Sequence, residues 1–223
     1  MFEAVVFDMD GVITDTEKLY RRFQMEEGRR RGIPEDVLVY ACEHIAGGNK
    51  FSNKPIFESI VGRGIDYMEF REKLMANLDA YIAANGVELK YGVKETLAYL
   101  KDKGIKIGLA TSTIRERAIG YLTAHDIYKY FDKLVFGNMV EHGKPAPDIY
   151  LKVADELNVE PQKCLVFEDV PMGILAGKNA GMQVCAVYDD YSKDVDSEKK
   201  ELADYYINNY NDILSGKYEV LND

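Results

Sequence analysis

The sequence contains few cysteines and no long apolar run. Its 223 residues include three cysteines, Cys42, Cys164 and Cys185, which form neither an even set for disulfides nor a spacing typical of metal ligands. No stretch approaches the ~20 consecutive apolar residues that a membrane span needs, and no basic segment followed by an apolar one opens the chain. These absences predict a soluble protein of a reducing, cytoplasmic compartment, with no membrane as partner.

The sequence also lacks an excess of positive charge. Lysine and arginine total 28 against 38 aspartates and glutamates, which gives a formal net charge of −10. This balance argues against a general affinity for nucleic acid or for anionic membranes. The share of hydrophobic residues, 47%, is ordinary for a globular protein, and the length allows one large domain or two smaller ones.

Short apolar runs, most of them rich in valine and isoleucine, recur along the chain. They span residues 4–7, 105–110, 133–136, 164–167 and 184–187. Continuous apolar runs of this length are typical of strands that are buried on both faces of a parallel sheet. Between them, apolar residues recur at helical spacing, as at Val93, Leu97 and Leu100. The alternation predicts an α/β fold, with a parallel sheet flanked by helices.

One region breaks this alternation. Residues 16–86 contain no convincing buried strand and consist of amphipathic helical sequence rich in Glu, Arg, Lys and Met. A connection of this length exceeds any normal crossover between two strands. We therefore predict a separate helical domain over 16–86, inserted after the first strand of a core made of residues 1–15 and 87–223.

Two aspartates follow the first predicted strand, in Phe7-Asp8-Met9-Asp10-Gly11. Ligands bind at this end of the strands in open α/β sheets, and Asp8 and Asp10 can point to the same side of an extended chain. Adjacent carboxylates are costly unless a cation or a proton lies between them. In phosphoryl transfer, one carboxylate can attack phosphorus while the other protonates the leaving oxygen. The alternative is that both are turn and cap residues before Gly11.

Two further polar sites follow later in the sequence. Thr111 and Ser112 come directly after the second apolar run, where hydroxyl and N–H groups bind phosphate oxygens well, although an ordinary helix N-cap is the alternative. Lys144 stands close to two prolines, and it could neutralise both a phosphoryl group and Asp8. A plain turn before a helix is the alternative for this motif.

A second pair of acids, Glu168 and Asp169, ends the fourth apolar run. Carboxylates are suitable ligands for Mg²⁺. Two like charges ~4 Å apart cost about 4 kcal/mol at an effective dielectric of 20, so acids beside Asp8 come close to requiring a metal. Together the four sites supply a nucleophile, hydroxyls, a cation and metal ligands, all at strand ends. The combination predicts a magnesium-dependent phosphotransferase with Mg²⁺ as cofactor.

These four sites, in this order, resemble the haloacid dehalogenase-like hydrolase superfamily and, within it, the β-phosphoglucomutase-like phosphatases. The resemblance covers nearly the whole chain and implies a Rossmann-like core with a mobile helical cap inserted after the first motif. The implied substrate is a small phosphorylated metabolite, a sugar phosphate above all, and a mobile cap is best suited to a monomer. The second aspartate, Asp10, argues against a dehalogenase, because that branch resembles this one but lacks an acid there.

The resemblance also implies a role for each motif residue. Asp8 would be the nucleophile and Asp10 the general acid and base. Thr111 and Lys144 would bind the phosphoryl group, with help from Ser112. The ligands of Mg²⁺ would be Asp8, the backbone carbonyl of Asp10 and Asp169, with Glu168 nearby.

Phosphatase and sugar-phosphate mutase remain the two main alternatives. Residues 7–16 look very like a mutase, but mutases of this type carry a histidine early in the first cap helix, where this chain has Tyr20. They also carry an arginine in a cap loop, whereas the comparable residues 47–54 include only the cations Lys50 and Lys54. Lysine lacks the planar fork of arginine for bidentate phosphate binding, so phosphatase is favoured. A phosphonate hydrolase with a Schiff-base lysine and a non-catalytic binding protein are the lesser alternatives.

Overall fold

A mostly parallel sheet lies at the centre of the protein. The computed structural model describes residues 2–45, 50–62 and 64–221. Within these ranges the strands are β1 (Ala4–Phe7), β2 (Lys106–Thr111), β3 (Lys133–Phe136), β4 (Cys164–Glu168), β5 (Gln183–Val187), β6 (Tyr205–Ile207) and β7 (Glu219–Val220). They form one sheet in the order β3-β2-β1-β4-β5-β6-β7. Neighbouring strands run parallel except for β6 and β7, which are antiparallel.

Helices occupy most of the remaining described chain. They are α1 (Glu17–Arg30), α2 (Glu35–Ile45), α3 (Lys50–Val61), α4 (Tyr67–Asn85), α5 (Val93–Asp102), α6 (Arg115–Ala124), α7 (Asp148–Leu157), α8 (Pro171–Asn179), α9 (Asp196–Leu202) and α10 (Asn211–Ser215). Among the residues described, none of these helices combines the length and the apolar character that a bilayer crossing needs.

The central strand β1 explains why the strand sequences are continuously apolar. Its four residues are all buried, and successive side chains point to opposite faces of the sheet. Val5 and Phe7 belong to a hydrophobic cluster that includes apolar residues of α5 and α6. Ala4 and Val6 belong to a second cluster with apolar residues of α7 and α8. Helices therefore cover both faces, as the sequence predicted.

The helices α1 to α4 share a hydrophobic cluster of their own. Its fully buried members include Leu38, Phe57 and Leu78, from α2, α3 and α4. The predicted fold class, a parallel sheet flanked by helices with a helical cap region inserted after the first strand, is confirmed. The proposed boundaries, 16–86 for the cap and 1–15 with 87–223 for the core, stay a prediction.

The two connections between the sheet and the cap region pair with each other. The N–H of Asp15 donates to the carbonyl of Glu88 at 2.8 Å, and the N–H of Lys90 donates to the carbonyl of Ile13 at 2.9 Å. The Lys18 ammonium forms ion pairs with both Asp15 and Glu88. The chain therefore leaves the sheet and returns to it along one short paired segment, which we call the hinge pair (residues 13–15 and 88–90).

The C-terminal end contributes more than the sequence predicts. The segment from Leu214 onward is polar, which predicts only a small contribution to the fold. In the structure, β7 pairs with β6, and Lys200 forms an ion pair with Glu219 at 3.1 Å. This expectation was wrong because a strand of two exposed residues carries no hydrophobic pattern for sequence reasoning to detect.

Candidate active site

The carboxyl ends of β1, β2 and β4 bring the predicted site residues to one edge of the sheet. Phe7, the last residue of β1, is paired with Phe167 on one side and Leu109 on the other. The N–H of Asp8 donates to the carbonyl of Phe167 at 3.1 Å. Asp8 and Glu168 each follow one member of the paired residues Phe7 and Phe167, so the parallel register places them side by side.

Lys144 lies between two of the acids. Its Nζ donates to Oδ1 of Asp8 at 2.6 Å and to Oε1 of Glu168 at 2.5 Å. Burial disfavours the ammonium, but the Asp8 and Glu168 carboxylates outweigh it and raise the pKa of Lys144 above its usual value. The loop before α7 thus places a permanent positive charge against the carboxylate that the sequence singled out as nucleophile.

Asp8, Glu168 and Asp169 form a buried group of three carboxylates. One oxygen from each lies within 4.8 Å of the other two. Oδ2 of Asp169 is buried and has no hydrogen-bond partner among the described residues. A Cβ atom at Gly11 would lie 2.0 Å from that oxygen, so only glycine leaves room for it. An unpartnered carboxylate oxygen in a group of hard donors fits Mg²⁺ well.

The pKa shifts in this group have a common main cause, which is burial, and neighbouring carboxylates add to it. Burial raises the pKa of Asp8 to about 7, with Glu168 adding to the shift and Lys144 opposing it. Burial and the Glu17 carboxylate raise the pKa of Asp169 well above its usual value. Burial, together with neighbouring carboxylates, also raises the pKa of Glu17, to about 8. A cation bound among these acids would reverse the direction of these shifts.

Asp10 is held separately from this group. Its Oδ1 accepts a hydrogen bond from the Thr16 hydroxyl at 2.6 Å, and its Oδ2 accepts one from the Thr113 hydroxyl at 2.5 Å. The Asp10 side chain is not part of the three-carboxylate group found among the residues described. Two donors fix its orientation, while a metal contact through its backbone carbonyl stays a prediction.

The phosphate-binding residues predicted after β2 occupy different environments. Thr111 is fully buried, and its Oγ1 accepts the N–H of Thr113 at 3.0 Å. Ser112 is exposed. Sequence reasoning assigned no role to Thr113, although this residue makes the contact with Asp10. The signal was present, since hydroxyls fill the last position of β2 and the two positions after it, but their directions depend on the turn.

Two residues at the start of α1 also lie close to the site. Glu17 approaches Gly11, where an added Cβ would lie 3.1 Å from its Cγ. Burial, followed by the nearby Asp10 carboxylate, raises the pKa of Tyr20 well above its usual value. Glu17 escaped sequence reasoning because an acid in the first turn of a helix is ordinary. Tyr20 was identified only as the residue that stands in place of a histidine.

An ion pair joins the cap region to the core beside this site. Arg117 on α6 donates from Nε and Nη2 to the two carboxylate oxygens of Asp79 on α4, at 2.9 and 2.7 Å. The Arg117 side chain is largely buried, whereas that of Asp79 is half exposed. Such bidentate geometry is the strongest form of an arginine–carboxylate pair.

The two cap lysines predicted as substrate contacts are engaged within the cap. Lys54 forms ion pairs with Glu58 at 3.2 Å and with Asp66 at 3.5 Å. Lys50 is exposed, and its Nζ lies 5.0 Å from the centroid of the Phe51 ring. Residues 47–49, the start of the segment compared with the mutases, lie outside the described residues. In the part of the chain that the structure describes, neither lysine contacts Asp8 or Asp10.

Fold and site together define an α/β enzyme whose acids converge at the carboxyl edge of a parallel sheet. The family model for the haloacid dehalogenase-like hydrolases matches residues 2–181. The chain belongs to this family. The predicted family and the prediction of an enzyme, a phosphoric monoester hydrolase, are thereby confirmed, and curated relatives are named as phosphatases.

Similar proteins include both phosphatases and a mutase. The chain is 38% identical over 181 residues to a phosphorylated carbohydrates phosphatase of Thermotoga maritima, covering 81% of this chain and 82% of that protein. It is 28% identical over 198 residues to hexitol phosphatase B of Escherichia coli, covering 82% of each. The crystal structure of β-phosphoglucomutase from Clostridium difficile superposes with a TM-score of 0.78 at 25% identity, covering 97% of each chain.

Proposed function

We propose that this protein is a Mg²⁺-dependent phosphatase that hydrolyses a small phosphorylated metabolite, a sugar phosphate, through an aspartyl phosphate on Asp8. The observation that carries this proposal is the contact of Asp8 with the Lys144 ammonium within a group of three buried carboxylates. A carboxylate at a strand end that contacts an ammonium and belongs to a group of possible metal ligands is suited to attack a phosphoryl group.

Asp8 and Asp10 divide the chemistry between them. An oxygen of Asp8 attacks phosphorus in line, so that the Asp8–phosphorus bond forms as the bond to the leaving oxygen breaks. Asp10, oriented by Thr16 and Thr113, gives its proton to that leaving oxygen. Asp10 then takes a proton from water, whose oxygen attacks phosphorus and frees Asp8 and inorganic phosphate. Water as the acceptor makes the enzyme a phosphatase.

Lys144 and the residues after β2 bind the phosphoryl group. The Lys144 ammonium, already 2.6 Å from Asp8, offsets the negative charge that builds up as the two groups approach. In this proposal Thr111 contributes its hydroxyl and backbone, and Ser112 assists. Ser112 is exposed, so its contribution depends on the substrate reaching it.

Mg²⁺ would be held by Asp8, Asp169 and the backbone carbonyl of Asp10. Glu168 belongs to the same group of carboxylates, and we include it as a ligand. When bound, the metal offsets phosphoryl charge and allows a phosphate dianion to approach these acids. The unpartnered Oδ2 of Asp169 is the strongest support for this assignment.

The substrate is proposed to be a monophosphate. Relatives named for phosphorylated carbohydrates and hexitols support a sugar phosphate. A mutase needs a cap cation for the second phosphate of its intermediate, but Lys54 already forms ion pairs with Glu58 and Asp66. A Schiff-base lysine needs a lowered pKa, whereas hydrogen bonding to Glu58 raises the pKa of Lys54. We also propose that the protein is a monomer and is located in the cytoplasm.

The test is inorganic phosphate release from a panel of sugar phosphates and other small phosphate esters. We expect release in the presence of Mg²⁺ that disappears with a chelator and in Asp8→Asn. An Asp8→Asn variant with full activity would contradict the covalent scheme.

The second candidate is a sugar-phosphate mutase, favoured by the likeness to a β-phosphoglucomutase structure. It predicts no phosphate release from any panel member but conversion of β-glucose 1-phosphate. That assay, run on the same preparation, separates the two activities.

A further inference from the structure

Tyr150 is a fully buried tyrosine that the proposed chemistry does not use. It lies in the first turn of α7, and its hydroxyl donates to Oε1 of Glu168 at 2.6 Å. The same oxygen accepts Nζ of Lys144 at 2.5 Å. Oε1 of Glu168 therefore has two short donors, one from a neutral hydroxyl and one from an ammonium.

The other oxygen of Glu168 is less committed. Oε2 accepts only the N–H of Asp169 among the described residues, at 3.2 Å, a longer distance than either contact of Oε1. A carboxylate whose first oxygen is occupied by two donors presents its second oxygen to a cation. Gly173 completes the arrangement, because a Cβ atom there would lie 2.1 Å from the Glu168 carboxyl carbon.

Tyr150 also contacts Lys144. The Lys144 Nζ lies 5.3 Å from the centroid of the Tyr150 ring, a cation–π distance. The ring and the hydroxyl of one side chain thus contact two neighbouring members of the site. The ring contact would survive the loss of the hydroxyl, which makes the two contributions separable by substitution.

We propose that Tyr150 is a positioning residue for the metal site, whose hydroxyl fixes Oε1 of Glu168 so that Oε2 is presented to Mg²⁺. The proposal rests on the Mg²⁺ dependence proposed above. Groups that orient metal ligands typically change metal affinity about 10- to 100-fold when removed. Tyr150→Phe removes only the hydroxyl and keeps the ring that fills the core and faces Lys144.

The experiment measures Mg²⁺ binding by calorimetry on the whole protein without substrate, alongside phosphate release. For Tyr150→Phe we expect the Mg²⁺ dissociation constant to rise at least about tenfold. At saturating Mg²⁺, KM for the phosphate ester should remain near the wild-type value, because the ring still faces Lys144.

Tyr206→Phe is the matched control. Tyr206 is also buried, and its hydroxyl donates to the carboxylate of Asp196 at 2.9 Å, away from the three-carboxylate group. Tyr206→Phe loses a tyrosine–carboxylate hydrogen bond, as Tyr150→Phe does. It should therefore lower the melting temperature while leaving Mg²⁺ affinity unchanged. An equal loss of Mg²⁺ affinity in both variants would overturn the proposal, since it would point to general destabilisation.

A second variant tests the route of the effect. In a Glu168→Gln background, Tyr150→Phe should cause no further loss of Mg²⁺ affinity, because the proposed action passes through Glu168 alone. Additive losses would overturn the proposal. If wild-type protein bound no Mg²⁺ and released no phosphate, the proposed function itself would fail. If the wild type did both and Tyr150→Phe matched it, only the role of Tyr150 would fail.

Discussion

Gly173 in the first turn of α8 is expected to be essential for the geometry of the acid group. A Cβ atom at this position would lie 2.1 Å from both Cδ and Oε1 of Glu168 and 2.3 Å from Oε2. The carboxylate would have to move by more than about 1 Å to reach the 3.4 Å of an ordinary van der Waals contact. It is almost fully buried and bonded to Lys144 and Tyr150, so it cannot move without breaking those hydrogen bonds.

The expected effect of Gly173→Ala therefore has two parts. Overpacking a buried position costs about 1 to 3 kcal/mol of unfolding free energy. For a chain of this length, each kcal/mol lowers the melting temperature by roughly 2 to 4 °C. In addition, displacing Glu168 should weaken Mg²⁺ binding by at least about tenfold.

Two other glycines provide matched controls. At Gly177, also on α8, a Cβ atom would lie 2.7 Å from a methyl group of Val184, so Gly177→Ala should lower stability without changing Mg²⁺ affinity. At Gly120 on α6 a Cβ atom meets nothing within 4 Å, and Gly120→Ala should stabilise the protein by about 0.5 to 1 kcal/mol. Thermal unfolding and Mg²⁺ titration of the three variants test this. Wild-type Mg²⁺ affinity in Gly173→Ala would refute our account of Glu168.

Three further predictions concern the same edge of the sheet. Because burial raises the pKa of Asp8 from 3.8 to about 7, the folded chain retains a proton there that the unfolded chain releases. Metal-free protein should therefore lose on the order of 4 kcal/mol from this group as pH rises from about 4 to about 7. Denaturant titrations in chelator should show a slope of this sign, and Asp8→Asn should reduce it without removing it, because Glu17 and Asp169 also have raised pKa values. Thr113→Val should lower kcat at least about tenfold with little change in KM, because Asp10 loses a donor, whereas Thr113→Ser should retain activity. Asp79→Asn should raise KM only a few-fold, since a half-exposed pair with Arg117 contributes about 1 kcal/mol or less. An unchanged KM would show that this contact between the cap region and the core does not influence substrate binding.

The core of the site was predictable because parallel topology converts sequence position into spatial position. Asp8 and Glu168 each lie at the carboxyl end of an apolar run, and adjacent parallel strands bring such ends together. Lys144 comes from a loop, and the two prolines close to it were the signal that singled it out among the cations of the chain.

The supporting residues could not be predicted in the same way. Tyr150 lies on α7 at a spacing that is equally consistent with an ordinary core residue, and only the fold shows that its hydroxyl meets Glu168. The direction of the Thr113 hydroxyl depends on the backbone of a tight turn. For the cap lysines, the sequence gave residue type without location: both lie on α3 and not in a loop, and Lys54 proved to be paired locally.

The hinge pair has a consequence for how this chain can vary. Because the strand-like segments around Thr14 and Leu89 run antiparallel and pair with each other, the residues between them begin and end at nearly the same point in space. The helices between these ends can lengthen, shorten or be exchanged for another fold without any change in the order or pairing of the strands. Selection for a new substrate can therefore act on the inserted helices while the residues that perform the chemistry keep their positions.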